Sequence, residues 1–300
     1  MNSPPSPDAQ DASTRPLRID AHHHLWHYVA RDYDWIDDSM SVLRRDFLVP
    51  DLEKELRLAQ VDGTVVVQAR QTTEETDWLL SIAQESNRIL GVVGWLPLSS
   101  PAIGSHLERL SCNRLLKGLR HVVQGEPPGF LDTGAFNTGI ALLRGTGLIF
   151  DLLILSHQLE EATRFVDRFP YQMFVLDHMA KPKIAANAME PWRTQIKELS
   201  LRENVACKVS GLVTEADPLG WTSEQLHRYV EAVLESFGPD RIMVGSDWPV
   251  LSARCDYARW WKLIEQWITP LSIDERSKIT QGTAKRIYNL GDRPSSPDAI

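Results

Sequence analysis

The chain has 300 residues, 43% of them hydrophobic and 24% charged, with a formal net charge of -8. That length suits one large α/β barrel or two smaller domains, and the acidic balance argues against a nucleic-acid partner, which would need a basic surface. No apolar run reaches membrane-spanning length. Three scattered cysteines, Cys112, Cys207 and Cys255, make neither a disulfide framework nor a CxxC zinc site, so a reducing cytoplasm is the expected location.

Residues 1–16, MNSPPSPDAQDASTRP, lack an apolar run and read as a disordered tail rather than a signal peptide. The first β-rich run is Leu17 to His24, LRIDAHHH. Side chains alternate along a strand, so His22 and His24 should share one face and His23 take the other. A helical stretch follows, "PDLEKELRLAQVDG", with Leu52, Leu56 and Ala59 on one face and Gly63 expected to close it. Further β-runs are TVVVQA at 64–69, ILGVVGWLPL at 89–98, LLKGLRHVV at 115–123 and LIFDLLIL at 148–155. The last three are QMFVLDHMA at 172–180, VACKVSG at 205–211 and RIMVGSDWPV at 241–250. Amphipathic segments such as "QLEEATRFVDRF" and "SEQLHRYVEAVLESFG" separate them. Eight β-runs alternating with helices predict a single (β/α)8 barrel over residues 17–290, with a flexible tail at 291–300. An open doubly wound sheet is the runner-up, but no glycine-rich phosphate loop follows the first strand.

Barrel active sites lie at the C-terminal ends of the strands. There the chain places His22 and His24, then Gln68 and Arg70, then Arg120 and His121, then Asp177, His178 and Lys181. Strand seven carries Lys208 and Ser210, and strand eight ends in Ser246, Asp247 and Trp248. Closure of a barrel sets strand eight beside strand one, so Asp247 should face His22 and His24. Imidazoles and a carboxylate converging in a cleft can bind a divalent metal or activate water. His23, His27, His106, His157, His227 and Asp177 read instead as structural residues. Trp26, Trp35, Trp95 and Trp248 fall on or after strand ends and could wall a ring substrate.

The stretches "IDAHHHLW", "DYDWI", "VVVQAR", "KGLRH", "VLDHMAKP", "CKVSGLVTEAD" and "FGPDRIMVGSDWPV" resemble the amidohydrolase superfamily. The branch is the one holding sugar-acid lactonases and pyrone dicarboxylate lactonase. The resemblance implies hydrolysis of a cyclic ester, with lactones of six-carbon sugar acids as substrates, L-fuconolactone first and L-rhamnonolactone second. It implies that Asp247 takes the proton of the attacking water, and that His178 and Arg120 stand near the lactone carbonyl. His22, His24, Trp26, Gln68, Arg70, His121, Lys181 and Trp248 are the expected substrate contacts.

Metal-dependent relatives usually carry a further ligand on strands four and five. Strand five here offers Asp151 and no histidine, and His157 lies well past its end. His22, His24 and Asp247 would then make a sparse zinc site, with no metal obligatory. Two other functions stay open: a metal-dependent hydrolase or decarboxylase of a cyclic or aromatic acid, and a non-catalytic sugar-acid-binding barrel. Oligomeric state is not legible.

Overall fold

The computed structural model describes residues 16–110 and 112–291. The expected tails, 1–16 and 291–300, lie outside the described residues except for Pro16 and Gly291. Eight parallel strands follow one another in sequence order: β1 (Ile19–His23), β2 (Gly63–Val67), β3 (Ile89–Gly94), β4 (Leu116–His121), β5 (Ile149–Leu152), β6 (Phe174–Leu176), β7 (Val205–Val209) and β8 (Ile242–Val244). This is the (β/α)8 barrel. Among the described residues no helix is long and apolar enough to cross a membrane.

The helices follow from capping and periodicity. Ser223–Phe237 starts where the Thr222 side chain accepts the Gln225 N–H and ends at Gly238, whose φ of 68° only glycine adopts easily. Its buried residues Leu226, Tyr229, Val230, Val233 and Phe237 recur at helical spacing and cover the sheet. Thr72 caps the helix Thr73–Glu85 in the same way. The first long helix is Val49–Leu58, with Leu52, Leu56 and Ala59 buried as expected. Gly63 does not close it. The chain turns at Gln60, with φ 53°, and Gly63 opens β2.

Two apolar cores result. Outside the barrel, Phe136, Phe150, Phe165 and Phe174 stack between strands and helices. Each is fully buried and contributes about 1.5–3 kcal/mol. Inside it, Ile19, Ala21, Val65, Val67, Val93, Ile149, Val175, Ala206 and Met243 pack together. Ala284, Ile287, Tyr288 and Leu290 near the chain end join this inner core.

The seam between β8 and β1 is closed by a side chain. Asp20 is fully buried and accepts from Ser246 N at 2.8 Å, Ser246 Oγ at 2.5 Å, Tyr257 Oη at 2.9 Å and His22 N at 3.1 Å. Burial pushes its carboxyl up to about 6, against four donors that favour the ionised form. Two backbone bonds, His24 N to Trp248 O at 2.7 Å and Asp247 N to His22 O at 2.8 Å, continue the closure to the strand ends. Asp20→Ala leaves several buried donors unpaired, so it should cost about 3 kcal/mol or more. A fall in the denaturant midpoint with an unchanged slope would show it; a change within 1 kcal/mol, on the order of a surface substitution, would refute this role.

Candidate active site

His22 and His24 reach the barrel mouth through an irregularity. The β1–β2 register shifts between Asp20 and His23. Ala21 packs in the inner core, and His22, its neighbour in sequence, also turns inward. There is room because residue 245 is glycine: a Cβ on Gly245 would lie 2.5 Å from the His22 Cβ. His23 points away and meets Thr64 Oγ1 at 3.0 Å, in keeping with a structural role.

At the centre, Asp247 Oδ1 lies 3.2 Å from His24 Nε2, 3.8 Å from His22 Nε2 and 3.9 Å from His178 Nε2. Arg120 Nη1 is 3.3 Å from His22 Nε2. The expected convergence of strands one, four, six and eight is present. His24 Nδ1 is 2.8 Å from Val67 O, and a carbonyl only accepts, so Nδ1 carries the proton and the Nε2 lone pair faces the centre. Burial alone would push Asp247 up; the imidazoles around it, His178 first, instead hold it well below the usual carboxylate range. Burial pushes His178 down to about 4, so its imidazole is neutral at neutral pH and acts on Asp247 through its ring dipole.

His178 is held by its backbone. The expected strand 172–180 stops at Leu176, and residues 178 to 181 form a left-handed turn with φ of 52°, 53°, 58° and 48°. Left-handed backbone costs a non-glycine residue roughly 1–2 kcal/mol, and such runs survive where surrounding contacts enforce them. Asp247 also has a positive φ, 61°. Ser210 Oγ, 2.8 Å from His178 Nδ1, fixes the ring from behind. Gly211, with φ 68°, passes so close that a Cβ there would sit 2.7 Å from His178 Nδ1.

Beneath the centre lies a buried ionic floor. Lys208 Nζ is 2.5 Å from Asp151 Oδ2, 3.1 Å from Asp177 Oδ1 and 3.2 Å from His22 Nδ1. Tyr288 Oη is 2.8 Å from both Asp151 oxygens, and Arg120 Nη1 is 3.1 Å from Asp177 Oδ2. Burial would push Asp177 up; the cations Lys208 and Arg120 beside it hold it well below its ordinary value. Sequence reasoning left this floor unassigned. Its signal was there: a charged residue inside an apolar buried strand needs a partner of opposite charge.

Above the centre opens a cleft of about 460 Å³, lined in part by His24, Trp26, Trp35, Arg70, Arg120, His178, Lys181 and Asp247. Glu75 folds the loop after β2 by accepting from Ala69 N at 3.0 Å and Arg70 N at 2.8 Å, which sets Arg70 against Asp32 at 3.2 Å. Asp32, Gln71, Thr72 and Gln124 also line the cleft and were not foreseen, because they come from loops. Four expected contacts are set back from it, the first being His22, which is fully buried and does not line it. Gln68 lies fully buried behind Arg120, whose Nη2 donates to Gln68 O at 2.5 Å. His121 stacks on Phe130 and bonds Trp95 Nε1 and Glu126. Trp248 is buried edge-on against Phe47.

His22, His24 and Asp247 bring their ligand atoms within 4.8 Å of one another, a donor set able to hold a divalent metal such as zinc. The His24 tautomer fits that use, and Asp177 Oδ1, 3.3 Å from His22 Nδ1, is the carboxylate that a ligating His22 would need behind it.

A parallel barrel with two histidines ending its first strand, faced by an aspartate ending its eighth, defines a hydrolase of the water-activating kind. The amidohydrolase family model matches residues 19–290, and the chain belongs to that family. It is 38% identical over 299 residues to an L-fucono-1,5-lactonase of Burkholderia multivorans, covering 94% of this chain and 98% of that one. An L-fucono-1,5-lactonase of Burkholderia ambifaria is 36% identical, with 93% and 97% covered. A crystal structure of a Burkholderia multivorans amidohydrolase with bound zinc superposes with a TM-score of 0.88 at 38% identity, covering 92% of this chain and 100% of that one.

Two outcomes follow from the geometry. Gly211→Ala forces a Cβ into the imidazole and strains a left-handed backbone, so it should destabilise by about 1–3 kcal/mol and displace His178 from Ser210. Unfolding curves and a crystal structure of the variant check both. The double variant His22→Ala, His24→Ala should bind no stoichiometric zinc in metal analysis after dialysis. Zinc retained at one equivalent would place the ligands elsewhere.

Proposed function

We propose that the protein hydrolyses a sugar-acid lactone to the open hydroxy acid, with Asp247 as general base. The observation that carries this reading is the convergence of Asp247, His24 and His178 beneath a cleft in a chain of this family. Water attacks the lactone carbonyl carbon while its proton passes to Asp247. The ring C–O bond then breaks, and the departing ring oxygen takes a proton back. Asp247 is ionised at neutral pH and so is ready to accept. Its low proton affinity makes it a modest base, so stabilisation of the developing oxyanion has to contribute strongly. Arg120, anchored on Asp177 and Gln68, is the fixed donor for that charge, with His178 beside it. A metal held by His22, His24 and Asp247 would, when bound, polarise the carbonyl and acidify water.

The charge pattern of the cleft supports a neutral polyhydroxylated substrate. Each cation lining the cleft already has an acid: Arg70 with Asp32 at 3.2 Å, Arg120 with Asp177 at 3.1 Å and Lys181 with Glu215 at 3.8 Å. A dicarboxylate would need cations to spare. Paired ions present donors and acceptors together, which suits hydroxyls, and the exposed Trp35, backed by the buried Trp26, offers an apolar wall for a ring carbon bearing no hydroxyl. Lactones of six-carbon sugar acids fit, with the L-fucono configuration favoured by the relatives. A cytoplasmic location is supported by three unpaired cysteines, Cys112, Cys207 and Cys255.

A panel of aldonolactones, with acid release followed by a pH indicator before and after chelation, tests the reading. L-fuconolactone and its L-rhamno and L-galacto counterparts should be hydrolysed, and most of the activity should survive chelation. Asp247→Asn should lose roughly 10²-fold or more while remaining folded. Failure of all three sugar lactones at millimolar concentration, with turnover of an aromatic or dicarboxylate lactone, would overturn the assignment.

A further inference from the structure

The floor of the site contains a donor and an acceptor competing for one nitrogen. His22 Nδ1 lies 3.2 Å from Lys208 Nζ and 3.3 Å from Asp177 Oδ1. An ammonium can only donate and a carboxylate can only accept, so the two neighbours demand opposite protonation of the same atom. If Nδ1 is bare, Lys208 donates to it and Nε2–H faces the centre of the site. If Nδ1 is protonated, it donates to Asp177 and the Nε2 lone pair faces the centre of the site. The first form offers a hydrogen-bond donor, and only the second can ligate a metal.

The surrounding contacts choose between them. His24 Nδ1 donates to Val67 O, so His24 Nε2 is an acceptor. His22 Nε2 is 3.2 Å from it, and a hydrogen between these two nitrogens has to come from His22. The Lys208 contact has hydrogen-bond geometry, whereas Asp177 Oδ1 is buried and accepts no well-formed hydrogen bond. Arg120 Nη1 would prefer a lone pair at His22 Nε2, but at 3.3 Å it is the longer contact, and the guanidinium is already held by Asp177 Oδ2 at 3.1 Å and by Gln68 O.

We infer that Lys208 is a positioning residue that sets the tautomer of His22, holding it in the Nε2–H form at rest and releasing it to Asp177 when the site takes a metal. Lys208 is fully buried, with Nζ beside Asp151, Asp177 and His22. Asp151, clamped by Tyr288, keeps the ammonium in place whichever nitrogen His22 protonates. The site can therefore present a donor without metal or a ligand with it.

Two-bond 1H–15N correlation spectra of the chelated, 15N-labelled protein read the tautomer directly and involve no substrate. A failed lactone assay therefore leaves the test intact. The His22 signals are identified among nine histidines by their loss in His22→Asn. The parent should show His22 protonated on Nε2; protonation on Nδ1 would overturn the inference without any variant of Lys208. Lys208→Met with Asp151→Asn removes the donor while balancing charge, and should move the proton to Nδ1. Lys208→Gln with Asp151→Asn restores a neutral donor and should return it to Nε2. Zinc affinity, by competition with a chromogenic chelator, should rise on the order of tenfold in the Met variant relative to the Gln variant, the worth of about one hydrogen bond. An unchanged His22 tautomer in the Met variant would show that Lys208 only fills space.

Discussion

Four donors converge on the carboxyl of Asp20, and the rest of the site depends on that convergence. A barrel has to join its last strand to its first, and the strands meeting here carry the polar groups that converge at its mouth: His22 and His24 on one side, Asp247 on the other. Asp20 binds the backbone of both sides and a tyrosine from the helix outside them. Closure of the fold and assembly of the site are the same event. A shift of the seam by one residue would turn the histidines away from the aspartate.

Below the seam, the site rests on buried charges. Lys208 and Arg120 oppose Asp151 and Asp177, all of them buried. Such clusters stabilise little once desolvation is counted, and well-packed apolar residues often do as well. Their value is geometric. Each partner restricts the others to one arrangement, and that arrangement aims the His22 imidazole at the centre of the site and the Arg120 guanidinium at the cleft. The apolar inner core below and the ionic floor above form successive layers: the first fills the barrel and the second orients its contents.

The fold was legible because its signals are local. Eight apolar β-runs, each separated by an amphipathic helix, announce a barrel, and His22, His24, His178 and Asp247 stood out as polar groups at strand ends. What stayed hidden was non-local or irregular. Gly63 reads as a helix terminator but serves as the first residue of β2, because the turn is made at Gln60. Residues 177–180 read as strand, yet tertiary contacts force 178–180 into left-handed backbone that no propensity favours. Trp248 and His121 have the composition of a binding wall, but each finds aromatic partners behind the cleft. The cleft's own loop residues, Asp32 and Gln71 among them, have no periodicity to betray them.

The left-handed turn from His178 to Lys181 sets a conflict between endurance and activity. Selection for heat tolerance alone would favour glycine or asparagine along this segment, since either relieves an unfavourable backbone. Each such replacement would remove a side chain from the cleft or loosen the loop that presents one. The segment is therefore a place where a consensus-minded engineer would find stability most easily and lose the enzyme doing so, and thermal robustness is better sought on the opposite rim of the barrel, where backbone ease and catalysis do not compete.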